Sequence, residues 1–284
     1  MKQPFFLRQV FLAIILTGST SVGMTQNTIL ADSAAATDWK EPAGMTITWQ
    51  DEFNGAAINT SDWGYETVET GWSPSWNKEW QRYTDNNTGG PNAFIEDGNL
   101  VIRAIKTNGG DGGYTAARLV TKGKKHWKHG VIAARMKLPS GQGIWPAFWM
   151  LPENGTWPDA GEIDIMELIG GGAGRDNKMY GTLHGPGYSG ARGIQGGCIL
   201  SRKNFCDAYH VFEIRWSTGR IEWYVDGQLF HAVEKTIVPG TWPFDESDFY
   251  ILFNLAVGGA WPGYPDATTV FPQIMSIDWV RVYQ

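Results

Sequence analysis

Apolar and polar residues alternate in short runs over most of the chain after residue 37, and a period of two is the signature of a strand with one buried face. The alternation predicts strands over 45–53, 99–106, 116–121, 130–138, 144–151, 162–169, 178–184, 210–216, 220–225, 249–256 and 274–283. Turn pairs such as Asp97-Gly98 and Asp226-Gly227 punctuate these runs. Glycine or proline interrupts nearly every longer window, which leaves Ser201–Ala208 as the one candidate helical turn. Many short strands separated by turns and not by helices imply an all-β fold, a β-sandwich of jelly-roll type.

The first residues read differently. Lys2 and Arg8 precede the apolar run Val10–Leu16, and small and polar residues follow as far as Ala34-Ala35-Ala36. This is the layout of a secretory signal peptide over 1–36, too short in its apolar part to span a bilayer. Ala34-x-Ala36 fits the small-residue cleavage rule, and Ser21–Gly23 competes with it. The expected mature protein is a soluble, secreted, single domain over 37–284, since no linker, charge block or repeat interrupts it. Export predicts a disulfide between the two cysteines, Cys198 and Cys206.

Composition narrows the function. Of 284 residues, 36 are Gly and 15 are Trp, so turns are abundant and indole surfaces are expected. A net charge of −6 without a long like-charge run leaves no electrostatic footprint for a nucleic-acid partner or an anionic membrane surface. Lys122–Lys125 is a solvated turn. Gly185–Gly190 matches a dinucleotide fingerprint in letters only, because it contains proline and opens no helix. Neither a nucleophile-elbow serine nor a zinc-protease histidine pair is present.

The chemistry concentrates in Glu162-Ile163-Asp164-Ile165-Met166-Glu167. Strict alternation puts Glu162 and Asp164 on one face and Glu167 on the other, inside the core. A lone carboxylate there is costly, so a β-bulge around Ile165-Met166 is expected to return Glu167 to the face of the other two. Three carboxylates on one face raise each other's pKa and hold a proton near neutrality. Two Glu side chains at convergent spacing suit a retaining glycosidase, one as nucleophile and one as acid then base, with the Asp tuning the nucleophile. An acidic solvent face or a calcium site would show the same spacing. Trp145, Phe148, Trp149 and Trp157 lie beside this strand in sequence, and indole faces stack on pyranose rings, which favours a sugar cleft on a concave sheet.

Together, GEIDIMEL, GQGIWPAFWML, YTAARLVTKGKKHWKHGVIAARMKLP, FNLAVGGAWPG and SIDWVRVYQ resemble glycoside hydrolase family 16 in its laminarinase branch, over nearly all of 45–284. The resemblance implies an endo-β-1,3-glucanase with Glu162 as nucleophile, Asp164 as its assistant and Glu167 as acid/base. It implies Trp145, Trp149 and His184 beside the cleaved sugar and Arg118, Asn77 and Trp261 further along the cleft. Lys78 stands where the family often has a second Asn. It also implies a structural Ca²⁺ bound through Glu52, Gly98 and Asp278, since oxygen ligands from three distant segments suit that ion. The chemistry itself needs no cofactor. The expected partner is a β-glucan, and the expected state a monomer. Hydrolysis of mixed β-1,3/1,4 glucans, transglycosylation, and glucan binding without catalysis are the alternatives, and retention of both Glu residues weighs against the last.

Overall fold

In the computed structural model, which describes residues 27–30, 39–85, 92–108, 112–171 and 175–284, the alternating segments form strands of two sheets. One sheet has eight strands, in the order β1 (Asn27–Leu30), β13 (Ile194–Leu200), β12 (Lys178–His184), β11 (Glu162–Glu167), β10 (Ile144–Pro152), β17 (Phe249–Val257), β8 (Arg118–Val120) and β3 (Gly64–Tyr65). The second runs β16 (Gln228–Glu234), β15 (Arg220–Val225), β14 (His210–Ser217), β9 (Gly130–Lys137), β18 (Gln273–Tyr283), β6 (Asn99–Lys106), β7 (Tyr114–Ala116) and β4 (Gln81–Tyr83). In that sheet β2 (Ile47–Asp51) also pairs with β18, and β5 (Ala93–Glu96) with β6. The sheets stack as the expected jelly-roll sandwich.

Period-two residues supply the layer between them. Phe148, Met150, Ile163, Ile165, Phe253 and Leu255 meet Ile132, Ala134, Met136, Ile214, Val280 and Val282, all buried. Each fully buried large side chain contributes about 1.5–3 kcal/mol, so this layer dominates stability. The opposite faces of β10, β11 and β17 are left to build a surface.

Four features depart from the sequence reading. Ser201–Ala208 forms turns and not a helix; Asp207 accepts from the Asn204 amide at 2.9 Å, a local side-chain bond that competes with helical pairing. Both cysteines are free thiols: Cys198 faces the core from β13, whereas Cys206 lies in the partly exposed turn that follows. The expected disulfide is therefore not formed. Asn27–Leu30, inside the expected leader, pairs in parallel with Gly197–Leu200 and buries Leu30; the rest of 1–36 lies outside the described residues.

The calcium positions are the fourth. The ladder does bring them to one end of the sheet, with Leu100 opposite Ile277 and Asp51 opposite Val280. Yet both Glu52 oxygens accept from the Arg281 guanidinium, at 2.7 and 2.9 Å, and Asp278 accepts from Arg135 at 2.6 Å. Carboxylates already matched bidentately or singly to arginines do not form an oxygen cage for a cation, so the side chains as placed do not fit the ion.

Candidate active site

β11 carries the reacting groups, and its register shows how. Asp164 sits opposite Thr182 and Glu167 opposite Tyr180, so three steps on β11 match two on β12. The same extra residue appears against β10, where Phe148 and Trp149 face Met166 and Asp164. This is the bulge that alternation demanded, and it sends both Ile165 and Met166 into the core while Glu162, Asp164 and Glu167 share the outer face. Gly181 lies across from it. A Cβ there would come within 2.5 Å of the Trp223 ring, which reaches over from β15 and donates its Nε1–H to the Asp164 carbonyl at 2.8 Å.

These carboxyls open onto a cleft of about 630 Å³ lined by β8, β10, β11, β17 and the 66–79 segment. Trp145 and Trp149 project into it by parity from β10, each half-buried. The Trp145 indole donates to Glu167 Oε1 at 3.1 Å, and the Trp149 indole donates to Asn254 Oδ1 at 2.7 Å. Arg118 covers the Trp149 ring at 4.6 Å and pairs with Glu66 at 2.5 Å. Asn77 lines the cleft and donates to Glu79. Trp261 packs edge-on to Trp145 at 5.5 Å and beside Tyr180 at 5.3 Å, extending the aromatic wall past Glu167.

His184 is the register partner of Glu162. Its Nε2 lies 3.2 Å from Asp164 Oδ2 and 3.6 Å from Glu162 Oε1. Gly193 backs the ring, since a Cβ there would approach Cε1 to 2.4 Å. Asp164 Oδ2 itself is buried with no hydrogen-bond partner.

Electrostatics follow from burial. Loss of water, then the Asp164 charge, pushes Glu162 up to about 8. Burial pushes Asp164 up to about 8 as well. Glu167 rises well above the ordinary carboxylate range, chiefly by burial and then by the charge of Asp164, against the lowering effects of His184 and the Trp145 bond. Groups this close titrate together, so the trio keeps protons at neutral pH while one carboxylate can remain ionised. That combination is what acid-assisted glycosyl transfer to a carboxylate requires.

Several contributors had escaped the sequence reading. Asn254 follows the period-two parity of β17 and was legible in principle. Glu79 is a half-buried acid, raised by desolvation and held by Gln81, Asn77 and Tyr83. Tyr83 in turn accepts from Asn254 at 3.0 Å, so a chain of polar contacts runs from Glu79 to Trp149. It depends on loop packing that no local pattern announces.

Residues 78–281 match Glycosyl hydrolases family 16. The chain belongs to this family. It is similar to a beta-glucanase of Rhodothermus marinus, 36% identical over 293 residues and covering 98% of this chain and 94% of that protein. Glucan endo-1,3-beta-glucosidase A1 of Niallia circulans is 38% identical over 271 residues, 85% of this chain, which spans only 38% of that longer protein. The laminarinase catalytic domain of Thermotoga maritima MSB8 superposes with a TM-score of 0.78 at 43% identity, covering 84% of this chain and 98% of that one. This family-16 protein is thus a glycoside hydrolase, and its bulged strand carries the three carboxyls into the cleft.

Proposed function

We propose that the chain is a secreted, monomeric endo-β-1,3-glucanase that cleaves laminarin-type glucans with retention of configuration. The observation that carries the reading is the bulge that joins Glu167 to Glu162 and Asp164 on one face, beside Trp145 and Trp149. Glu162 attacks the anomeric carbon from the face opposite the scissile oxygen. Glu167, protonated, delivers its proton to that oxygen as the bond breaks. Asp164 and His184 hold the ionised Glu162 oxygen in line, and the Trp145 indole fixes Glu167. The aglycone departs, a water enters, Glu167 takes its proton, and the glycosyl-enzyme opens to release sugar with the original configuration. The indole walls position pyranose rings by stacking.

Names of similar proteins support a β-1,3 linkage, and the open cleft supports cutting within a chain. Incubation with laminarin, lichenan, agarose and carrageenan, with products resolved by length, tests this. Rapid formation of mixed laminari-oligosaccharides is expected; release of galactan fragments in preference would end the glucanase reading, and binding to laminarin without new reducing ends would end the hydrolase reading.

A further inference from the structure

Glu162, Asp164 and His184 form the one group of three metal-ligating side chains found among the described residues, with a donor atom from each lying within 4.8 Å of the others. The two contacts through His184 Nε2 are 3.2 and 3.6 Å. A tetrahedral zinc ion at about 2.0–2.2 Å from nitrogen and oxygen ligands separates those ligands by about 3.4 Å, which is the spacing of the two contacts through His184, and the third pair of donors lies within 4.8 Å. Calcium and magnesium fit poorly, because they take six or more hard oxygen ligands and one of these donors is an imidazole.

A second observation points to a ligand. Asp164 Oδ2 is buried, lacks any hydrogen-bond partner, and faces the imidazole at a distance that has no bonding alignment. The imidazole lies against Gly193, where a Cβ would come within 2.4 Å of Cε1. Glu162 and Asp164 both line the cleft, so an ion held between them and His184 would stand at its wall.

We propose that this cluster binds a borderline divalent cation of the Zn²⁺ class, and that the bound ion occupies the Glu162 oxygen and excludes the sugar. The ion is an inhibitor and no part of the hydrolytic step. Its exclusion of glucan rests on the glucanase reading, whereas the cation site itself does not.

Equilibrium dialysis of untagged full-length protein against zinc chloride tests the site. One ion per chain is expected, weakened at least tenfold in His184→Ala and in Asp164→Asn and unchanged in His126→Ala, whose ring lies on the surface beside Asp248. Circular dichroism of each variant establishes folding, and the two ligand variants serve as substitutes for one another. Unchanged zinc affinity in a folded ligand variant, or no binding to the wild type at 1 mM zinc, overturns the proposal. Glu167→Gln, which keeps all three ligands, then allows competition without turnover: laminaritetraose is expected to displace the zinc. Simultaneous binding of both overturns the exclusion. Failure of the tetrasaccharide to bind at all would count against the glucanase reading and leave the dialysis result to decide the cation site.

Discussion

The indole of Trp223 donates to the Asp164 carbonyl at 2.8 Å across the sandwich. A bulge leaves backbone groups without ladder partners, and this one lies over the core, where water does not reach. Trp223 therefore does for the bulge what a neighbouring strand does elsewhere, and Gly181 makes room for it. Trp223→Phe keeps most of the apolar volume and removes the donor. The expected loss is about 1–3 kcal/mol of unfolding free energy, together with a fall in kcat, because the bulge sets where Glu167 points. Chemical denaturation and initial rates measure both; full stability with full activity would show that the bulge stands without its cap.

The acid trio makes stability depend on pH in an unusual direction. Burial raises Glu162 and Asp164 to about 8, so above pH 4 the folded protein holds more protons than the unfolded chain. Folding stability then falls as pH rises from the unfolded values near 4 towards 8, by up to about 1.4 kcal/mol per pH unit for each proton retained. Asp164→Asn removes one such group. It is expected to raise the melting temperature at pH 8 and to change it little at pH 4.5; a greater stabilisation at the acid end would contradict the assignment.

Trp145→Phe should separate packing from the polar contact to Glu167. The indole bond favours the ionised carboxylate, so its loss moves Glu167 further up. The basic limb of the kcat/KM profile is expected to shift to higher pH while laminarin turnover drops roughly tenfold, in the range of a misplaced acid catalyst. An unmoved limb would mean that another group sets it.

β1 carries a consequence for processing. Thr28 donates to the Phe230 carbonyl, and Leu30 is 2% exposed. A chain that starts at residue 37 loses both, at a cost of about 2 kcal/mol for the buried Leu alone. A lower melting temperature than that of a chain starting at residue 24 is expected in calorimetry. Equal melting temperatures would make the strand dispensable.

Much of this was legible in the sequence because strand patterning is a physical requirement of a half-buried sheet. β6, β12 and β15 fall where alternation put them, and the bulge followed from the cost of burying Glu167. β13 was missed for a reason visible in its glycines: Gly196 lies under His231, and a Cβ there would come within 2.3 Å of that ring, so the strand carries no side chain where alternation would show. Glu79 and Trp223 were illegible because their roles depend on the opposite sheet or a loop. The arginines that occupy Glu52 and Asp278 are likewise cross-strand partners, absent from any local motif.

Rescue by azide reaches the central claim most directly. On an activated aryl β-laminaribioside, Glu162→Ala and Glu167→Ala should each lose several orders of magnitude in turnover while remaining folded, and azide should restore both. Glu162→Ala is predicted to yield the α-glycosyl azide, because azide then attacks in place of the missing nucleophile. Glu167→Ala is predicted to yield the β-glycosyl azide, because azide there opens an intact glycosyl-enzyme. The reversed pair of anomers would exchange the two roles, and formation of the same anomer from both variants would contradict the double displacement.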